Sequence, residues 1–196
     1  MKGKIIMDTK RKNELTEIAR EIRVGIIDAV HSAKSGHPGG SLSIADVLTY
    51  LYFEEMNIDP KNPKKPDRDR LVLSKGHCAP GLYSALAHRG YFPVEDLKTF
   101  RHTDSYLQGH PDMKHTPGVE MTSGSLGQGA STSCGMALAN KIDKTSVRIY
   151  TILGDGETEE GQVWKRQCSR HTITSPTSAG SSTSTVSRLT DLSRKS

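Results

Sequence analysis

Asp155 lies between two glycines directly after an apolar run, and it is the sharpest chemical feature of this sequence. Carboxylate oxygens are the ligands that Mg²⁺ prefers, and flanking glycines let the backbone approach a bound group closely. Because Mg²⁺ in proteins often also binds phosphate oxygens, a diphosphate would be its natural partner. The tripeptide Gly154-Asp155-Gly156 taken alone also suits a simple turn.

A second candidate is the glycine-rich segment of residues 122–129, TSGSLGQG, which directly precedes a predicted helix. Backbone N–H groups at such a junction can bind an anion such as phosphate. The same composition suits a flexible linker, so this segment alone leaves both interpretations open.

Three histidines, His37, His77 and His110, each lie beside glycine or proline in a predicted loop. A single loop histidine is usually a solvated surface residue, but three in such settings favour a shared chemical role. None has the close paired spacing of a zinc-binding helix, so we do not interpret them as metal ligands. Four other histidines are interpreted as ordinary surface residues: His31, His88, His102 and His115.

The elements that must position these residues alternate between helices and strands. Apolar periodicity predicts three helices with both ends defined, at residues 11–34, 79–88 and 127–141. A further helix is predicted from a cap at Ser43 to about residue 55, and another begins near Glu159. Short apolar runs predict strands at residues 70–74 and 147–153. This alternation indicates an α/β fold with a parallel sheet flanked by helices. The candidate residues follow the predicted strand ends, where open α/β sheets bind their ligands.

The charge distribution argues against a nucleic-acid-binding protein. The net charge is +5, but residues 165–196 alone hold six basic side chains and one acidic one, which gives +5. The other 164 residues are therefore neutral. No apolar run is long enough to span a membrane, and residues 1–12 lack the apolar core of a signal peptide. Three widely spaced cysteines favour a reducing, cytoplasmic setting.

Taken together and in this order, the motifs resemble transketolase, and most closely the separate N-terminal subunit of split transketolases. The resemblance covers nearly all of residues 11–164, and its most specific part is the block of residues 117–129. Deoxyxylulose phosphate synthases share some of these motifs, but the separate-subunit layout and this block favour transketolase. The matching segments are SGHPGG at 35–40, KGH at 75–77, GHP at 109–111, PGVEMTSGSLGQG at 117–129 and GDG at 154–156.

The resemblance implies a thiamine diphosphate-binding fold and transfer of a two-carbon ketol unit between sugar phosphates, as in the pentose phosphate pathway. It implies that Asp155 binds Mg²⁺ and that His77 contacts the cofactor's diphosphate. Gly154 and Gly156 would belong to the same cofactor-binding turn. The thiazolium and pyrimidine rings would lie against Gly124, Ser125 and Leu126.

The resemblance also assigns residues to the substrate and to a partner. His37 and His110 would face the substrate's hydroxyls and carbonyl and assist proton transfer as general acid/base groups. Glu160 resembles a glutamate in the carboxylate network that links paired active sites. The pyrimidine-binding domain would come from a separate C-terminal subunit, in a dimer of such pairs.

The sequence departs from the family after Trp164. The magnesium motif should continue to an asparagine about thirty residues beyond Gly-Asp-Gly, but no asparagine follows Asn140. An alanine-rich helix is also expected, whereas serine and threonine make up 15 of the last 32 residues. With Asp155 as its main protein ligand, Mg²⁺ is expected to bind weakly, and apolar surfaces are expected to be exposed.

Loss of one nucleotide just after the Trp164 codon would explain this departure. Residues 165–173, KRQCSRHTI, can be the out-of-frame image of EAAMFAAHY, and residues 185–191 can be the image of NGLQIDG. The second match would place the missing asparagine at Thr185, thirty residues after Asp155. The two compared sequences, EAAMFAAHY and NGLQIDG, follow the family pattern. A frameshift is our leading hypothesis for residues 165–196.

The predicted organisation therefore has three parts. Residues 1–10 form a flexible N-terminus, residues 11–164 a partial diphosphate-binding α/β domain, incomplete at its C-terminus, and residues 165–196 a non-homologous, disordered tail. Two functions remain open: the cofactor-binding half of a transketolase that acts with a partner subunit, or a truncated, catalytically inactive product.

Overall fold

The computed structural model describes residues 7–165 and a strand at residues 184–188. The helices are α1 (Thr9–Ala33), α2 (Pro38–Leu42), α3 (Ala45–Tyr50), α4 (Ala79–Arg89) and α5 (Gln128–Ile142). The strands are β1 (Arg70–Leu73), β2 (Ile149–Gly154) and β3 (Ser184–Arg188). A π-helical turn spans Leu51–Glu55, and 3₁₀ turns span Gly76–Cys78, Val94–Thr99 and Gly156–Glu159.

The sheet has the order β1-β2-β3. Strands β1 and β2 are parallel, with Leu71 opposite Tyr150 and Leu73 opposite Ile152. This pairing confirms the α/β fold with a parallel sheet. The backbone of β3 pairs antiparallel with β2. Because β1 and β2 run in the same direction, their carboxyl ends meet at one edge of the sheet.

Helices cover both faces of this sheet. On one face, α1, α3 and α4 pack with Tyr150 and Ile152 in the larger core cluster. On the other face, Ile149 and Leu153 pack with residues of α5, as alternation along a strand requires. The strands are therefore buried between two layers, which explains why β1 and β2 are apolar runs rather than alternating ones.

Helices α1 and α4 approach each other closely at Gly25. The Ser84 hydroxyl donates a hydrogen bond to the Ile22 carbonyl at 2.8 Å. A Cβ at Gly25 would lie 2.4 Å from that hydroxyl oxygen, so only glycine fits this contact. The close contact fixes α4, and with it the histidine-containing turn that precedes α4.

Two local predictions were wrong. The predicted loop around His37 is in part helical, because the short helix α2 begins at Pro38, whose fixed φ suits a first helical turn. Ser43 does not cap the next helix. Its hydroxyl donates to the Gly40 carbonyl at 2.9 Å, and Ile44 precedes α3 with no side-chain cap. The predicted extent to Glu55 is reached by the π-helical turn.

The amino ends of β1 and β2 are joined by a buried ion pair. Asp69, only 3% exposed, accepts hydrogen bonds from the backbone N–H and the Nε of Arg148, both at 2.8 Å. The same carboxylate accepts the Asn57 N–H at 2.9 Å. Arg148 also donates to Glu55. This network fixes the sheet edge opposite the candidate site.

The predicted disordered tail, residues 165–196, lies mostly outside the described residues. The same holds for Thr185 as a replaced metal ligand, because only the backbone of β3 is described. Among the helices that the structure describes, none has both the length and the apolar character needed to cross a membrane.

Candidate functional site

The chain leaves β1 and β2 at the same edge of the sheet, and the candidate residues follow directly. Ser74, Lys75, Gly76 and His77 come after β1, and Asp155 comes after β2. Leu73 and Ile152 are register partners, so these two exits are neighbours. Parallel strands place their ligand-binding loops in this position.

His37 and His77 are in direct contact. Their ring centroids lie 5.1 Å apart, and the rings meet edge to face at 65°. His37 is exposed just before α2, whereas His77 is only partly exposed. The segment around His37 also approaches His77 at Gly40. A Cβ at Gly40 would lie 3.9 Å from Nε2 of His77.

The surroundings of His77 lower the pKa of its imidazole from the ordinary value of 6.5. Partial burial is the largest cause, and the positive charges of His37 and Lys75 act in the same direction. The carboxylate of Glu157 opposes them and raises the pKa. The neutral imidazole is therefore favoured near neutral pH, with one nitrogen able to donate and the other able to accept.

His110 reaches the same site from the long loop between α4 and α5. The Tyr83 hydroxyl binds the carbonyls of Gln108 at 2.9 Å and His110 at 3.0 Å, which anchors this loop to α4. The His110 ring lies 3.6 Å from the position of a Cβ on Gly124. His110 also lowers the pKa of His77 through its charge. The structure thus brings the three histidines together.

The glycine-rich segment packs directly on the turn after β1. A Cβ at Gly76 would lie 2.9 Å from the backbone of both Ser123 and Gly124. With any residue larger than glycine at position 76, the turn after β1 and the glycine-rich segment would have to move apart. Gly124, Ser125 and Leu126 are exposed above this contact. The Ser123 hydroxyl is buried and has no hydrogen-bond partner among the residues described.

Asp155 and Gly156 are exposed at the end of β2. The Thr158 N–H donates to the Asp155 carbonyl at 3.0 Å, which closes the turn and leaves the carboxylate out of that bond. Within residues 7–165, no group of three or more His, Cys, Asp or Glu side chains is placed to hold a metal ion.

Glu160 lies elsewhere along the glycine-rich segment. Its Cβ is 3.3 Å from the position of a Cβ on Gly127, which adopts a positive φ of +81°. The Glu160 side chain is exposed. Glu160 therefore contacts the chain at the start of α5. This point is three residues after Gly124, which lies beside His110.

Two buried charged residues of this site were missed in the sequence. Glu157 is 3% exposed and accepts hydrogen bonds from the Ser74 hydroxyl at 2.5 Å and from the N–H groups of Gly127 at 2.7 Å and Gly154 at 2.9 Å. Lys75, also 3% exposed, donates to the Gly40 carbonyl at 3.2 Å. The sequence of residues 157–160, ETEE, does not indicate which of the three glutamates is buried.

The chain is similar to known proteins in both sequence and fold. The family described as "Transketolase, thiamine diphosphate binding domain" matches residues 15–171. The chain is 51% identical over 157 residues to the 6-deoxy-6-sulfo-D-fructose transketolase subunit SqwG of Clostridium sp. (strain MSTE9), a match that covers 80% of this chain and 57% of that protein. It is 43% identical over 143 residues to one subunit of the apulose-4-phosphate transketolase of Phocaeicola vulgatus, covering 73% of this chain and 50% of that one.

The fold is similar to that of solved transketolases. With transketolase from Campylobacter jejuni the TM-score is 0.74 at 38% identity, over 82% of this chain and 26% of that one. The chain spans about half the length of the two relatives named above. Both the sequence and the fold therefore lead to one assignment: the chain belongs to the transketolase family of transferases and carries its N-terminal, thiamine diphosphate-binding domain.

Proposed function

We propose that this chain is the cofactor-binding half of a two-subunit transketolase, which transfers a two-carbon ketol unit between sugar phosphates with thiamine diphosphate and Mg²⁺. The observation that carries the proposal is the meeting of His37, His77 and His110 above the carboxyl ends of β1 and β2. Three histidines around one opening suit a substrate with several hydroxyls and a carbonyl.

The residues present fit the organic cofactor. The buried, unpartnered Ser123 hydroxyl lies where a ligand with polar groups would give it a hydrogen bond. Gly124, Ser125 and Leu126 offer an exposed surface for the thiazolium and pyrimidine rings. Leu126 in particular exposes an apolar side chain, 37% of it, beside this loop. His77 would contact the diphosphate.

Mg²⁺ fits these residues less completely. Asp155 supplies one exposed carboxylate directly after β2, between Gly154 and Gly156. Since Mg²⁺ usually keeps several waters and is bound through one or two carboxylates plus substrate phosphates, this single ligand is compatible with a site completed by the diphosphate.

The cofactor, when bound, supplies the carbanion chemistry, and the chain's residues position the reactants. We assign proton transfer to His37 and His110, which are exposed, whereas His77 is less exposed. The neutral His77 would donate a hydrogen bond to a phosphate oxygen without adding a second full charge.

A separate subunit is part of the proposal because the relatives named above are themselves called subunits. That partner would supply the pyrimidine-binding domain, and Glu160 would lie in the carboxylate network between paired sites. The names of these relatives differ in the sugar, a 6-sulfo sugar in one and apulose 4-phosphate in the other. We propose a sugar phosphate substrate and a cytoplasmic dimer of such pairs.

A second candidate function is a truncated product that does not catalyse ketol transfer. The observation that favours it is that, within the described part of the chain, no group of three or more His, Cys, Asp or Glu side chains is placed to hold a metal ion. Under the frameshift hypothesis, the asparagine that should complete the site is read as Thr185.

The test compares two genes. One encodes this chain, and the other carries one additional G after the Trp164 codon, which restores the frame. With the C-terminal subunit present, titration with thiamine diphosphate and MgCl₂ by isothermal calorimetry should give tight binding only for the restored chain, and Asp155→Asn should weaken it at least tenfold. Equal, tight binding by both chains would overturn the truncation hypothesis. Binding by neither would overturn the proposed cofactor site.

Catalysis is then measured in the presence of the C-terminal subunit. The restored chain should transfer a ketol unit to a sugar phosphate acceptor only when that partner is present. The unrestored chain should give no transfer at any concentration of Mg²⁺. Activity of the restored chain without the partner would contradict the two-subunit proposal.

A further inference from the structure

We propose that Glu157 is a positioning residue whose buried carboxylate holds together the two loops that bind the cofactor. The inference rests on the proposed function, since it concerns the same site. It is carried by three hydrogen bonds that meet on one side chain and come from three separate segments of the chain.

The carboxylate uses both oxygens. Its Oε1 accepts the Ser74 hydroxyl at 2.5 Å and the Gly127 N–H at 2.7 Å, and its Oε2 accepts the Gly154 N–H at 2.9 Å. Ser74 follows β1, Gly127 precedes α5, and Gly154 ends β2. One side chain therefore links both strand ends to the start of the helix.

These donors lie immediately next to the residues assigned to the cofactor. Gly127 follows the Gly124–Leu126 surface, and its positive φ of +81° sets the direction in which the loop meets α5. Gly154 directly precedes Asp155, so the same carboxylate fixes where the metal-binding turn begins. Displacement of Glu157 would move the ring-binding loop and the metal-binding turn relative to each other.

The negative charge of Glu157 is balanced within the site. A buried carboxylate is stable only if hydrogen bonds or an opposite charge compensate its lost hydration. The Cβ of Glu157 and the Cδ of Lys75 both lie 3.6 Å from the position of a Cβ on Gly154. Three hydrogen bonds thus compensate the carboxylate, the stems of both side chains pack against the same glycine, and the two charges act on His77 in opposite directions.

The test uses the full chain and three variants: Glu157→Gln, Ser74→Ala and Glu159→Gln. Glu157→Gln keeps the shape of the side chain, but its NH₂ group cannot accept a hydrogen bond. At least one of the Gly127 and Gly154 N–H groups then loses its acceptor. Hydrogen bonds to charged groups contribute about 1.5–3 kcal/mol, so the affected amide should exchange with solvent about 10- to 100-fold faster by NMR. Glu159→Gln, at an exposed position of the same turn, should change neither amide.

A second readout separates the charge from the packing. Because Glu157 raises the pKa of His77, Glu157→Gln should lower that pKa in an NMR titration. Ser74→Ala removes one donor and keeps the charge, so it should leave the His77 titration unchanged. It serves as the milder variant if Glu157→Gln does not fold, and it should speed exchange of the Gly127 amide by a smaller factor.

The third readout is the affinity for thiamine diphosphate with Mg²⁺, measured on the frame-restored chain together with the C-terminal subunit. Glu157→Gln should weaken it about tenfold or more, and Glu159→Gln should not. Wild-type exchange at both glycine amides in folded Glu157→Gln would overturn the proposal. So would unchanged cofactor affinity with accelerated exchange. Failure of the unmutated, restored chain to bind the cofactor would overturn the proposed function instead, and the exchange rates would still report on the role of Glu157 in the fold.

Discussion

His37 meets His77 edge to face, with 5.1 Å between the ring centroids, at the point where the chain leaves β1. The contact joins two motifs that are forty residues apart in the sequence. It also places a second protonatable ring beside a partly buried one. Protonation of both rings at once is unfavourable, and this coupling contributes to the lowered pKa of His77.

The first prediction follows from that coupling. His37→Gln removes a neighbouring positive charge, so the pKa of His77 should rise from its lowered value. It should not return fully to 6.5, because burial is the larger cause and remains. The measurement is an NMR titration of the His77 ring in both proteins. A pKa that does not rise in His37→Gln would show that the contact has no electrostatic effect.

The same pKa shift predicts a pH dependence of stability. The pKa of His77 is depressed in the folded chain, so its neutral form is favoured by folding. Its contribution is fully present above about pH 6.5 and is lost as the pH falls through the lowered pKa. His88, whose pKa is lowered mainly by burial, acts in the same direction. Urea unfolding at pH 7 and pH 5 should show lower stability at pH 5, and His88→Gln should reduce that difference. An unchanged difference would contradict this assignment.

The next prediction concerns the contact between Gly76 and the glycine-rich segment. In Gly76→Ala the new Cβ would lie 2.9 Å from the backbone of Ser123 and Gly124, so the two loops must separate. Strain of this kind costs about 1–3 kcal/mol. We expect lower stability in urea and at least tenfold weaker thiamine diphosphate binding in the frame-restored chain.

Gly135→Ala is the matched control for that variant. Gly135 lies in α5 with nothing within 4 Å of its Cβ position, and alanine in a helix is favoured over glycine by about 0.5–1 kcal/mol. The control should therefore be as stable as the wild type or more stable, with unchanged cofactor binding. Equal losses in both variants would show that the Gly76 contact is not specific.

The sequence could predict which loops form the site but not how its buried charges are arranged. Histidines beside glycine or proline in predicted loops are visible as types and spacing, so His37, His77 and His110 could be named. Glu157 could not, because Glu159 and Glu160 have the same side chain within three residues. Burial is favourable for Glu157 because Ser74 and Gly127, which are distant in the sequence, donate hydrogen bonds to its carboxylate in the folded chain.

The buried pair of Asp69 and Arg148 supports a prediction about stability. Asp69→Asn removes the negative charge that Arg148 faces and leaves a partly buried guanidinium without its main partner. Breaking a buried pair in this way costs about 3–5 kcal/mol, and the partial exposure of Arg148 favours the lower end. Urea unfolding measures this loss.

Asp67→Asn is the control for the ion pair. Asp67 pairs with Lys65 at 3.2 Å, but its side chain is 59% exposed. An exposed pair contributes about 0–1 kcal/mol, so the control should be close to wild type. Losses of similar size in the two variants would show that burial of Asp69 does not matter.

The fold was largely predictable because its strongest signals are local. Periodic apolar residues in α1 and two short apolar runs predicted the helix, the strands and their parallel pairing. The start of α2 at Pro38 and the uncapped start of α3 were not predicted, because both depend on packing. Ser41 of α2 is fully buried and its hydroxyl donates to the His37 carbonyl at 2.9 Å. This hydrogen bond is local to α2, and α3 begins without the expected Ser43 cap.

The last prediction concerns Thr151 in the middle of β2. Its side chain is fully buried, and its hydroxyl has no hydrogen-bond partner in the described part of the chain. Leaving a buried hydroxyl unpaired costs about 1–3 kcal/mol, and valine has nearly the same shape without that group. Thr151→Val should therefore be neutral or stabilise the chain by about 1 kcal/mol in urea unfolding. Destabilisation by more than about 1 kcal/mol would mean that the hydroxyl makes a hydrogen bond in solution. Because valine also suits a strand buried on both faces, a neutral or stabilising result would show that β2 is held by packing and backbone pairing alone at this position.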